Sequence, residues 1–250
     1  MTRSRGFTLI EMAIVLVIVT ILIGGLAVPL SAQIQARRIA ETKQTLQEAS
    51  DALQGFAMMT GVASGLNGTA YLPCPDTTGD GTEKRNGTGD CANSVNGVSY
   101  GWFPWVTLGT APQDAWGNRL RYVVISQFAK SGTGGGFHLN SGTPGNPIQI
   151  CSTRSCPPPL LANNVAFALI SHGPNGWGAR NINGTTLAAP SGPDETENLA
   201  FNPVLVMRTP TPAGSALGEF DDLVAWVSQP RLAGLVCPPK GLNTGSDCGW

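Results

Sequence analysis

From Met12 to Ala36 the chain runs for 25 residues without a charged side chain, most of it Ile, Leu, Val and Ala. About 20 apolar residues suffice to carry a helix across a ~30 Å hydrocarbon core. Arg3 and Arg5 stand just before the run, so the positive-inside rule predicts a cytoplasmic N-terminus with the remainder outside the cytoplasm. A cleaved secretory signal also begins with basic residues and an apolar stretch. It fits poorly here, because cleavage after Ala32 would leave Leu30 where a small residue is wanted and would place Glu11 inside the segment.

Glu11 is the informative residue of this region. An acid near hydrocarbon is costly and is usually retained for function, so it needs a partner. If the leader were cut between Gly6 and Phe7, Glu11 would be the fifth residue of the mature chain, one helical turn from a new α-amino group and close to the positive end of the helix dipole.

The sequence around Gly6-Phe7-Thr8-Leu9-Ile10-Glu11 resembles the type IV pilin and type II secretion pseudopilin superfamily, closely so from Arg5 to about Pro29. The resemblance implies cleavage after Gly6 by a prepilin peptidase and N-methylation of Phe7. It also implies that Glu11 pairs with the terminal amine of a neighbouring subunit during assembly, and it places Pro29 near the helix-kinking proline of many members. The expected partners are other pilin or pseudopilin subunits, the peptidase and an inner-membrane assembly platform. The expected location is a single-pass inner-membrane protein with a periplasmic head, later part of a periplasmic or cell-surface fibre.

Between Ser31 and Thr60 there is no proline, and Ile39, Leu46 and Leu53 recur with Ala49 and Phe56 as one helical stripe flanked by charges. This predicts an amphipathic extension of the first helix that packs under a head. The expected organisation is a leader at 1–6, a membrane and fibre-core helix at 7–30, the extension at 31–60 and an extracytoplasmic head at 61–250. Beyond Met59 the composition turns to Gly, Asn, Thr, Ser and Pro, consistent with 32 Gly and 19 Pro in the chain. Strands are predicted at Leu120–Ser126, Val165–Ser171, Val204–Arg208 and Leu223–Ser228 from their β-branched and aromatic content. The fold class is therefore α+β, a long helix on a small antiparallel sheet. The Gly/Pro segments Gly132–Pro147 and Asn183–Asn198 read as long loops.

Within the head, Asp114-Ala-Trp116-Gly117 followed by Tyr122 resembles the Asp-x-Trp-Gly stretch of major pseudopilins. Leu169–Gly176 is similar to the family's strand and Gly-rich loop, and Phe220–Trp226 to its final acidic loop and strand. Taken alone, Trp116 and Trp226 also read as core aromatics, and Gly117 and Gly176 as turn glycines. Major pseudopilins carry calcium in the C-terminal loop, and the resemblance implies Asp221 and Asp222 as its acidic ligands here. The chain departs from that pattern: Asn175 stands where the Gly-rich loop is usually acidic, and an insertion with Asp194, Glu195 and Glu197 intervenes. No cofactor is required by this reading, with calcium as the one candidate.

Six cysteines in a segment expected outside the cytoplasm favour disulfides. Six allow 15 pairings. Sequence proximity favours Cys74–Cys91, Cys151–Cys156 and Cys237–Cys248. The acidic run Asp76–Glu83 lacks the EF-hand arrangement and reads as a solvated loop. There is no Gly-x-Ser-x-Gly, no His-Glu-x-x-His and no phosphate loop, and His138 and His172 read as ordinary surface or loop histidines, so an enzyme is not expected. A net charge of −1 and the isolated pairs Arg37/Arg38 and Arg119/Arg121 give no support for nucleic-acid binding. The expected function is a pseudopilin or minor pilin. The alternative is a membrane-tethered ligand-binding or adhesin domain that uses the helix only as an anchor.

Overall fold

The computed structural model describes residues 6, 8–63, 70–132, 135–136, 148–158, 160–200 and 202–236, with backbone alone for 24–29 and 61–63. Phe7, His138, Cys237 and Cys248 lie outside the described residues, as does nearly all of the expected 132–147 loop. The elements in chain order are α1 (Leu9–Ala63), β1 (Ser94–Val95), β2 (Val98–Trp102), α2 (Trp105–Leu108), β3 (Arg121–Ile125) and α3 (Ser126–Ala129). They continue with β4 (Gln149–Cys151), β5 (Val165–Ser171), α4 (Pro193–Leu199), β6 (Val204–Val206), β7 (Leu223–Ser228) and α5 (Gln229–Val236). Contacts divide the chain into two compact units, Met1–Ala40 and Glu41–Trp250.

In the first unit, α1 begins at Leu9 and its helical assignment continues through Pro29. Large apolar side chains, among them Leu9, Ile14, Leu16, Ile18, Ile21 and Ile23, are exposed. Among the described residues no helix is long and apolar enough to cross a membrane. The expected span over 7–30 therefore rests on the sequence and not on the fold.

The second unit is built on a five-stranded sheet of order β1-β2-β3-β5-β7 in which every neighbouring pair is antiparallel. β5 is buried along its whole length, as suits a near-continuous apolar strand between two others with both faces covered. Tyr122 holds the centre of the core. Its ring meets Phe103 and Phe167 edge-on at 6.5 and 6.3 Å, and its hydroxyl donates to the Pro73 carbonyl at 3.2 Å. Leu46, Ala49 and Leu53 of the predicted stripe join the same core together with Ala57, while Ile39 and Phe56 are half-buried. Leu232 and Ala233 of α5 are buried as that helix closes over β5 and β7.

Three features depart from the expectations. Residues 204–206 do form a strand, but it pairs in parallel with β4 as a separate two-stranded sheet and not in the antiparallel one. Within the presumed loop Asn183–Asn198, Pro193–Leu199 is helix α4, with Pro193 at its first turn. The β1–β2 hairpin lies outside the expected strands, although its turn is Asn96-Gly97, both with positive φ (52° and 81°), the sequence signal of a two-residue type I′ loop. The Cys74–Cys91 and Cys151–Cys156 bonds are both formed.

Candidate functional site

Two places carry the sequence-predicted residues. At the start of α1, the Thr8 amide and hydroxyl donate to Glu11 Oε2 at 2.8 and 2.9 Å, and the Glu11 amide donates to Thr8 Oγ1 at 3.3 Å. This is a capping box, with Thr8 as N-cap and Glu11 three residues on, so each satisfies an orphan donor of the other. Thr-x-x-Glu was legible in the sequence as such a cap. Gly6 precedes it and is exposed.

The second place is the end of the sheet where β5 stops and β7 begins. The Asp114–Asn118 loop is anchored there. Asp114 Oδ1 accepts the Trp116 and Asn118 amides, both at 2.9 Å, and its Oδ2 accepts the Ser171 hydroxyl at 2.7 Å. Burial raises the pKa of Asp114 above its ordinary value, against these donors. Gly117 turns at φ 84°, and the Ala115 amide donates to Thr42 Oγ1 of α1 at 3.2 Å. The Asp-x-Trp-Gly stretch thus ties the helix to the end of β5.

Immediately beyond Ser171, His172 is buried, and its Nδ1 lies 3.2 Å from Asp222 Oδ1. It is a loop histidine, as expected, but not a surface one: it is buried against an aspartate 50 residues away in the chain. Asp222 Oδ2 accepts from Asn198 Nδ2 at 2.8 Å, and Asn198 is locked to the backbone of Val206 in β6 on both sides.

Asp221 and Asp222 are joined by Glu195, a carboxylate of the insertion that departs from the pseudopilin pattern. Glu195, in the first turn of α4, places an oxygen so that it and one oxygen each from Asp221 and Asp222 lie within 4.8 Å of one another. Asn175 holds this geometry. Its side-chain amide donates to Glu195 Oε1 at 3.0 Å and its backbone amide to Asp221 Oδ2 at 3.0 Å, while the Asp221 amide donates to Glu195 Oε1 at 2.9 Å. The position that lacks an acid therefore orients two others. Two buried oxygens, Glu195 Oε2 and Asp221 Oδ1, have no hydrogen-bond partner.

Burial pushes Asp221 up to about 7, and the charges of Glu195, Asp222 and Glu219 add to the shift against the Asn175 amide. Burial raises Glu195 as well. A compact set of carboxylates with unsatisfied buried oxygens has the donor chemistry of a hard-cation site. By contrast, the Asp76–Glu83 run is no solvated acidic loop at its start: Asp76 is buried and accepts the Thr78, Gly79 and Gly81 amides within its own turn.

Compared with known families, residues 1–27 match the prokaryotic N-terminal methylation motif. That match supports a pilin-like or pseudopilin substrate of prepilin peptidase, with assembly among pilin subunits and a membrane-anchored, then fibre-associated, location. No curated protein and no solved structure matches the chain.

Proposed function

We propose that the chain is a structural, non-enzymatic subunit of a type II secretion or type IV pilus fibre, a pseudopilin or minor pilin. The observation that carries this is the methylation motif over residues 1–27, within which the described part of the helix is apolar and exposed on all sides. In this reading the apolar stretch of residues 7–30 crosses the inner membrane once, with the head in the periplasm. The peptidase then cuts between Gly6 and Phe7. Glu11 would leave its capping-box contacts with Thr8 to pair with the methylated amine of a neighbouring Phe7, and that charge pair would set subunit register. Burial of the apolar face among neighbouring helices supplies the assembly free energy.

In the head, Glu195, Asp221 and Asp222 are the residues that would hold calcium, with the unpartnered Glu195 Oε2 and Asp221 Oδ1 as the donors that fit it. The ion would neutralise carboxylates that burial disfavours and join α4 to the β7 approach.

The intact, non-reduced mass of the protein from its native host, with and without prepilin peptidase, tests the reading. The expected mass begins at singly methylated Phe7 and lacks six cysteine hydrogens. A retained leader, or cleavage after Ala32, would sink it. A Glu11→Ala variant should fail to enter fibres, whereas a merely tethered binding domain would keep its activity.

A further inference from the structure

Across the sheet from the aromatic core, cross-strand neighbours put Trp102 of β2, Arg121 of β3 and Ile170 of β5 in one row, since directly opposed residues share a face. Over this row lies a cavity of about 180 Å³ bordered by Trp102, Arg119, Arg121, His172, Arg180 and Thr77. Three arginines border one small space, and no acidic residue lines it.

The backbone brings two of these cations side by side. The Arg119 amide donates to the Arg180 carbonyl at 2.9 Å, in the stretch where Asn118 pairs with Asn181. Their guanidinium groups come together over Gly79, which turns at φ 88°; a Cβ there would collide with Arg119 Nη1 and stand 3.1 Å from Arg180 Nη1. Arg119 is 7% exposed, stacks at 5.0 Å on Trp105 and donates Nη2 to the Ile182 carbonyl at 3.1 Å. Its Nε and Nη1 are buried without a hydrogen-bond partner. Arg180 stacks at 4.8 Å on Trp102 and donates Nε to the Gly184 carbonyl at 3.1 Å.

Among the described residues neither Arg119 nor Arg180 forms an ion pair. Asp76 is the acid whose field reaches Arg119; its oxygens are taken up by three backbone amides and the Thr78 hydroxyl, so it offsets part of the charge from a distance without an ion-pair contact. The field of Asp222 reaches Arg121 at the cavity border. Burial and the neighbouring Arg180 both lower the ionisation of Arg119, and burial brings Arg121 down to about 10. Buried charges are ordinarily paired, so the buried Arg119, with the half-buried Arg180 beside it and an acid-free cavity against both, makes a place for an external counter-charge.

We propose that this cavity is a binding site for a small oxyanion, a carboxylate or phosphate group, held by Arg119, Arg180 and Arg121 against the Trp102 face. The space is large enough for several waters, and so for inorganic phosphate or a short dicarboxylate. Planar guanidinium donors suit both oxyanion types. The inference does not depend on whether the chain assembles into a fibre.

Isothermal titration of the full-length protein in detergent with inorganic phosphate, and separately with succinate, against sodium chloride of equal ionic strength, tests it. Saturable binding of one anion per chain by either probe is expected, and which probe binds assigns the group. Arg119→Gln and Arg180→Gln should each weaken binding roughly tenfold to a hundredfold, the range of a charge-assisted hydrogen bond. Arg231→Gln, at an exposed position of α5, should leave it unchanged. If Arg119→Gln loses its near-ultraviolet circular dichroism, Arg180→Gln and the wild-type titration carry the decision. Absence of binding by both probes at 10 mM, or binding indifferent to both cavity arginines, overturns the proposal.

Discussion

Replacing Asp221 by Asn should stabilise the calcium-free protein at neutral pH and leave it unstabilised in acid. In the folded state Asp221 ionises near 7, against an ordinary 3.8, chiefly because it is buried beside Glu195 and Asp222. A raised carboxyl favours folding fully below its unfolded value, and that contribution is lost as pH rises through about 7. Taken whole, the displacement corresponds to about 4 kcal/mol at pH 7.5. Solvent reaches the half-buried side chain, and screening reduces this to about 2 kcal/mol. For a unit of this size each kcal/mol moves Tm by about 2–4 °C, so Asp221→Asn should melt about 4–8 °C above wild type at pH 7.5 in chelator. At pH 4 the two should melt together. Calcium should reverse the order: at a hundredfold excess over Kd it adds about 2.7 kcal/mol to wild type and little to the variant. Differential scanning fluorimetry at both pH values, with chelator and with millimolar calcium, reads all four states. Equal destabilisation of the variant at pH 4 and pH 7.5 would refute the electrostatic reasoning.

The remaining expectations are structural. Gly173→Ala should cost about 1–3 kcal/mol, because φ is 58° and a Cβ would strike the Asp221 carbonyl and carboxylate; the same variant should lose calcium-dependent stabilisation in the fluorimetry. Leu53→Ala, at a fully buried position of α1, should lower unfolding free energy by about 2–5 kcal/mol in urea titration. Replacing Cys74 and Cys91 together by Ser opens a bond between residues 17 apart, and should cost about 3 kcal/mol on the chain-entropy account, read as a lower urea midpoint.

What the sequence determined by itself is what local order encodes. The uncharged run, the Glu11 that follows Gly6 and Phe7, and the heptad-like stripe through Leu46 and Leu53 are each encoded within a few helical turns, and the processing motif is read from residues 1–27 alone. Strand composition located β5 and β7 to the residue, since β-branched runs bounded by turn residues need no distant information. The bonds Cys74–Cys91 and Cys151–Cys156 also join near neighbours.

Only the tertiary structure decided which distant residues meet. Glu195 reaches Asp221 because α4 folds out of a stretch that composition presents as loop, and Asn175 becomes an organiser of carboxylates through contacts 20 and 46 residues away. His172 finds Asp222 across the β5–β7 pairing, and the parallel β4–β6 pair joins segments more than fifty residues apart. The cavity arginines follow the same rule: Arg119 and Arg121 look like an isolated basic pair until the backbone lays Arg180 beside them. Side-chain periodicity records which face of an element is apolar, but long-range closure depends on packing free energies summed over the whole core, which no single segment encodes.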